Sequence, residues 1–181
     1  WSSDVCSSDL ASLSSSTRGI VSGGVGNIPS QGDGSNYVFE NINFITIATT
    51  GNASDFGNLA TPNAQAAGVS NATRGLFGGG YSIPPPHTNR PSKDIVEYIT
   101  IASTGNSLDF GDLSSSKRLN QGMGSTTRAL IGSGSLNPGS HSSNVIDYFT
   151  IASTGNGTDF GDLNTAVYYG GVGITSSGTY G

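Results

Sequence analysis

The sequence predicts an all-β fold assembled from about three four-stranded antiparallel modules. Three observations carry that expectation. One phrase recurs: Phe44-Ile-Thr-Ile-Ala-Thr-Thr-Gly-Asn-Ala-Ser-Asp55-Phe-Gly-Asn-Leu59, then Tyr98-Ile-Thr-Ile-Ala-Ser-Thr-Gly-Asn-Ser-Leu-Asp109-Phe-Gly-Asp-Leu113, then a third copy from Tyr148 through Asp159 to Leu163. Its aspartate returns after 54 and then 50 residues, the spacing of stacked units that are each too small to bury an apolar face alone. Nowhere does a 3.6-residue apolar period coincide with helix caps.

Each period divides into four strands. The first follows Thr-Arg, over 19–24, 75–80 and 129–134, and runs into glycines that suit a bulge or a close backbone approach. The second, over 95–102 and 145–152, is β-branched and aromatic on both faces, as in a strand covered from two sides. Thr-Gly-Asn then makes a turn, because Gly and Asn tolerate positive φ. Asp-Phe-Gly-Asp-Leu forms a short third strand, and a fourth covers 63–69, 117–123 and 167–172. The modules on this reading are 17–72, 73–126 and 127–181, within one incomplete domain over 11–181. The stretch before Thr17 parallels the one before Thr73, so the chain is expected to open inside a module.

Composition narrows the function classes. Charged residues make up 10% of the chain, with 12 acids against 7 bases, which offers no footprint for nucleic acid. No apolar run nears the roughly 20 residues of a membrane-spanning helix, so membrane insertion is not expected. Gly, Ser, Thr and Asn are abundant, yet apolar and aromatic runs recur at fixed positions, which separates the chain from a disordered one.

The module resembles a kelch repeat: a glycine run after an apolar strand (Gly78-Gly79-Gly80), then Tyr98, with Phe56, Phe110 and Phe160 where kelch has Trp. Phe44 replaces the tyrosine in the first copy, and the third copy reads Gly132-Ser133-Gly134. The resemblance implies a β-propeller fragment of about three blades in an open arc. The whole repeating unit is also similar to arrays in virion structural and tail proteins of marine bacteriophages. That likeness implies a non-enzymatic particle component, located in the virion, whose partners are other virion proteins, further blades of a longer chain and a host-surface glycan. Residues 1–10, Trp-Ser-Ser-Asp-Val-Cys-Ser-Ser-Asp-Leu, resemble a translated sequencing adapter and are set aside from fold reasoning. They hold the chain's one Trp and one Cys, so the remainder offers no disulfide and no thiolate metal ligand.

The alternative class is a secreted propeller enzyme or lectin of galactose-oxidase-like or sialidase-like type. Neither enzyme pattern is complete. No Cys remains for a copper site of the first kind, and Arg18, Arg74 and Arg128 would form a sialidase-like triad only by converging on the central channel. Asp-Phe-Gly superficially resembles the kinase magnesium motif, but it occurs three times and lacks the accompanying lysine and His-Arg-Asp. No catalytic residue, cofactor or metal site is expected.

The residues common to all modules are expected to be structural. Arg18, Arg74 and Arg128 should pair with Asp55, Asp109 or Asp159, since a guanidinium fork suits a carboxylate. The three aspartates also suit Asx-type turns, and Phe56, Phe110 and Phe160 should lie between modules. Recognition is expected from the loops that differ, over 27–41, 81–93 and 135–144, with Tyr37, Phe39, Tyr81, His87, Arg90 and His141 as candidate contacts.

Overall fold

The computed structural model describes residues 9–27, 36–84, 89–136 and 141–168. These are all strand, turn and loop, with no helix among them. The first sheet contains β1 (Leu10–Ser14), β2 (Arg18–Gly23), β5 (Asn41–Thr46) and β6 (Ser54–Asn58), with a side ribbon of β3 (Val25–Asn27) and β4 (Asn36–Val38). The second contains β7 (Ala67–Ser70), β8 (Arg74–Gly78), β9 (Ile95–Thr100) and β10 (Leu108–Asp112). The third contains β12 (Gln121–Gly124), β13 (Arg128–Gly132), β15 (His141–Thr150) and β16 (Thr158–Val167), extended by β11 (Lys117–Arg118) and β14 (Ser135–Leu136). The main strands of each sheet form an antiparallel meander in chain order.

The sheets correct the module boundaries. The strand expected to close each module instead opens the next: β7 pairs with β8 and β12 with β13. A tandem repeat has no beginning in its letters, so the phase is set by which strands hydrogen-bond. Leu10, within the stretch set aside above, starts β1 opposite Gly23, and Asp9 accepts bonds from the Gln65 main chain and side chain. The first sheet is thereby four-stranded in the same sense as the second. Of the last expected strand, 169–172 lie outside the described residues.

The Thr-Arg pair sits on the turn from the first to the second strand of each sheet. The preceding Ser15, Asn71 or Ser125 accepts main-chain N–H groups from both, as from Thr73 at 2.9 Å and Arg74 at 2.8 Å. These short side chains close Asx- and ST-type turns. At the other end of β2, β8 and β13, two residues in succession take positive φ: Gly23–Gly24, Gly79–Gly80 and Ser133–Gly134. The N–H of each second residue reaches the chain at or beyond the end of its sheet's last strand: Gly24 to Asn63 O, Gly80 to Lys117 O, Gly134 to Val167 O.

Two apolar layers hold the three sheets together. One joins Ile20, Ile42 and Phe56 of the first sheet to Phe77, Ile99 and Ile101 of the second. The other joins Leu76, Val96 and Phe110 of the second to Ile131, Phe149 and Ile151 of the third. Alternation along each strand supplies both faces, so the middle sheet is covered on each side. A third, smaller cluster of Ala64, Tyr81 and Ile83 lies beside the β3–β4 ribbon.

Candidate functional site

The repeated phrase assembles into a latch between successive sheets. In β6, β10 and β16 the aspartate and glycine of Asp-Phe-Gly pair with the neighbouring strand, and the phenylalanine is the extra residue of a β-bulge. The bulge turns Phe56 and Phe110 inward, both 2% exposed, while Asp55, Asp109 and Asp159 point to solvent. The next sheet's Thr-Gly-Asn turn then docks on the bulge. Phe56 O accepts the Gly105 N–H at 2.7 Å, Asn58 O accepts the Ser107 N–H at 2.9 Å, and the Asn58 N–H donates to Asn106 Oδ1 at 3.0 Å. The second junction repeats this: Gly155 N–H to Phe110 O at 2.7 Å, Gly157 N–H to Asp112 O at 2.7 Å, Asp112 N–H to Asn156 Oδ1 at 3.1 Å. A Cβ on Gly57 would lie 2.4 Å from Gly105 O, and one on Gly111 would lie 2.3 Å from Gly155 O. Only glycine permits that approach.

The arginines belong to the same junctions, and here the expectation fails. They do not pair with the repeated aspartates. Arg18 lies over the Phe44 ring at 4.5 Å and donates to Ile101 O at 2.7 Å. Arg74 lies over Tyr98 at 4.8 Å and donates to Ile151 O at 3.0 Å. Each guanidinium bridges its own sheet's aromatic ring to a main-chain carbonyl of the next sheet. Arg128 covers Tyr148 at 5.3 Å and is exposed. The aspartates cannot take the role expected of them because the bulge faces them outward. Asp159 accepts the Gly161 N–H at 2.8 Å, the local turn role.

Phe160 is a further correction. It stands in the same bulge as Phe56 and Phe110, yet it is 50% exposed, because no described sheet follows the third.

Sequence reasoning missed a set of buried acids. Asn43, Glu97 and Asp147 occupy one repeat position, and the last two are buried, at 5% and 0% exposure. Each takes the main-chain N–H of the segment arriving from the previous sheet: Ala60 to Glu97 Oε1 at 3.1 Å, Ser114 to Asp147 Oδ1 at 3.3 Å. Lys117 Nζ meets Asp147 Oδ2 at 2.8 Å with both side chains fully buried. An acid alone in an apolar strand, as in Val96-Glu97-Tyr98 or Ile146-Asp147-Tyr148, is the signal that could have revealed them.

Burial pushes the Glu97 carboxyl above the usual carboxylate range, and Lys93, the Ala60 N–H and Ser107 pull it partly back. Burial likewise lowers the Lys93 ammonium, against the attraction of Glu97. A raised carboxyl pKa means that the folded state binds the proton more tightly than the unfolded chain does. The contribution of Glu97 to stability therefore falls as pH rises from the unfolded value through the folded one. Glu97→Gln should flatten the profile in the range just above the ordinary carboxylate pKa, read by thermal melts at stepped pH. Identical slopes in both proteins would show that Glu97 titrates normally.

The loop candidates separate. Tyr81 is core, 1% exposed, bridged to Ala64 and Ser92 and flanked by the guanidiniums of Arg90 and Arg118 at 5.6 Å each. It fills the apolar cluster under the loops and is not a surface contact. His141 begins β15 opposite Leu136 and is exposed, in a strand and not a loop. Arg90 is exposed, and Tyr37 and Phe39 are half-buried. His87 lies outside the described residues.

A cleft of about 880 Å³ runs along the first strands of the three sheets. Ser14, Ser16, Ser70, Asn71 and Thr126 line it with hydroxyl and amide groups, over Leu13 and Val69. Its lining carries no charged side chain. Val21, Asn43 and Ile45 of the first sheet also line it.

Sheet order and latch geometry define the class as an all-β protein of packed antiparallel meanders. The chain is similar to a solved structure titled "Structure of YjhT", with a TM-score of 0.66 at 8% identity over 86% of this chain. It spans about half of that structure's length, 52%. No protein-family model matches the chain, and no curated protein matches its sequence.

Proposed function

We propose that the chain forms three blades of a kelch-like β-propeller, in an open arc, and serves as a non-enzymatic recognition scaffold. The setting that fits is a phage virion or tail component that touches a neutral host-surface glycan, with other virion proteins or further blades beside it. The carrying observation is where the repeated residues lie. Arg18, Arg74, Phe56, Phe110 and the Thr-Gly-Asn turns of the second and third sheets all act at sheet-to-sheet junctions. Such residues serve every module alike and leave recognition to surfaces that vary.

The cleft suits a neutral sugar. Hydroxyl side chains exchange hydrogen bonds with sugar hydroxyls, and an apolar floor receives the C–H face of the ring. The galactose-oxidase-like or sialidase-like alternative needs groups converging on one centre, whereas Arg18 and Arg74 are engaged at separate junctions. The reading is tested by titrating the chain with a panel of neutral and sialylated oligosaccharides. Saturable binding of neutral members, lost in Ser16→Trp, is the expected result. A folded chain that binds no member, or prefers acidic ones through Arg128, refutes it.

No helix of the described residues is long and apolar enough to cross a membrane. Placement in the virion, or secretion under the alternative, is part of the proposal.

A further inference from the structure

The two outer faces of the three-sheet stack are the two halves of one junction. On the first sheet, Val21, Ile45 and Ile47 are 39%, 47% and 53% exposed. Their repeat equivalents in the second sheet, Phe77, Ile99 and Ile101, and in the third, Ile131, Phe149 and Ile151, are all 2% exposed or less. On the third sheet the opposite face is bare. Phe160 is half-exposed and Leu130 and Ile146 are only partly covered, where Ile20, Ile42, Phe56 and Leu76, Val96, Phe110 are buried.

The polar half of the latch is open in the same way. A Cβ on Gly161 would meet nothing within 4 Å, whereas its equivalents Gly57 and Gly111 are pressed against the following turn. Arg128 is exposed where Arg18 and Arg74 hold a carbonyl of the following sheet. Isolated exposed apolar residues are ordinary, but here the bare positions are the ones that pack at both internal junctions.

We infer that this chain docks head to tail on a second copy of itself, the third sheet of each covering the first sheet of the other. Every contact has an internal precedent. Phe160 meets Ile45 as Phe56 meets Ile99 in one core cluster. Phe160 O accepts the Gly51 N–H as Phe56 O accepts that of Gly105. Arg128 donates to Ile47 O as Arg18 donates to Ile101 O. Two such junctions use all four outer faces of two copies, and two lengths of this chain come close to one length of the structure it resembles, of which it spans 52%. The contact is heterologous, so closure requires each copy to use both faces. It goes beyond the glycan-binding reading and does not depend on it. It covers Val21 and Ile45, which also line the cleft.

The test uses the whole chain and two single variants, Ile45→Asp and Phe160→Asp, with mass read by sedimentation or light scattering over a range of concentration. The parent is expected as a dimer, and each variant alone as a folded monomer. Mixing the two variants should restore a one-to-one dimer, because one junction then joins the intact third sheet of Ile45→Asp to the intact first sheet of Phe160→Asp. A parent that stays monomeric throughout overturns the inference and leaves these faces to further modules of a longer chain. Growth beyond two copies overturns closure. Dimers that survive both substitutions, or that only one substitution abolishes, show a different interface.

Discussion

Phe110→Ala is expected to lower stability by about 3–5 kcal/mol, the cost of truncating a fully buried aromatic side chain. Its ring stands edge-on to Tyr98 at 5.8 Å and to Phe149 at 5.9 Å, so one truncation opens a cavity across the second junction. Phe160→Ala, the same letter in the same motif, should cost less than about 0.5 kcal/mol, the range of ordinary surface changes. The pair should be compared by urea unfolding in the Ile45→Asp background, where the chain is a single copy and Phe160 keeps its 50% exposure. The arginines should follow the same order. Arg74→Ala loses a charge-assisted bond and a ring contact, for about 1–3 kcal/mol, and Arg128→Ala loses little. Equal losses at interior and terminal positions would mean that these residues stabilise each sheet by itself and not its junctions.

The second large effect belongs to the buried ion pair. Lys117→Met leaves the Asp147 carboxylate fully buried with the Ser114 N–H and without its cation. Stripping one partner from such a pair costs about 3–5 kcal/mol, because the remaining charge is uncompensated. Asp147→Leu should cost a similar amount by stranding the ammonium, whose other contact is Val145 O at 3.4 Å. The double variant should recover most of the loss, since a buried pair replaced by apolar groups is often neutral. A double-mutant cycle on unfolding free energies reads this directly. Single variants within about 1 kcal/mol of the parent would show that water reaches the pair.

These predictions mark how far the letters carried. The latch positions were legible because a residue needed at every junction returns at every period, which is why Phe56 and Phe110 were placed between modules. The same logic misplaced Arg18 and Arg74. Their recurrence announced a shared structural partner, but the partner is a main-chain carbonyl, and main chain leaves no letter. It also misplaced Tyr81, which sits in a segment of variable length and yet fills an apolar cluster. The Lys117–Asp147 pair carries only part of a periodic signal, because the acid recurs as Glu97 in the second sheet but the first sheet has Asn43 there.

By itself the sequence determined the all-β class, the four-strand unit and the residues that repeat at junctions, since strand propensity, turn chemistry and period are properties of neighbours along the chain. The tertiary structure alone decided which strand opens each sheet, which side of each bulge faces the core, and which junction residues remain bare. The physical reason is that a one-residue bulge exchanges the two faces of a strand. Phe56 and Phe160 are the same letter in the same motif, and only the sheet packed over one of them separates core from surface.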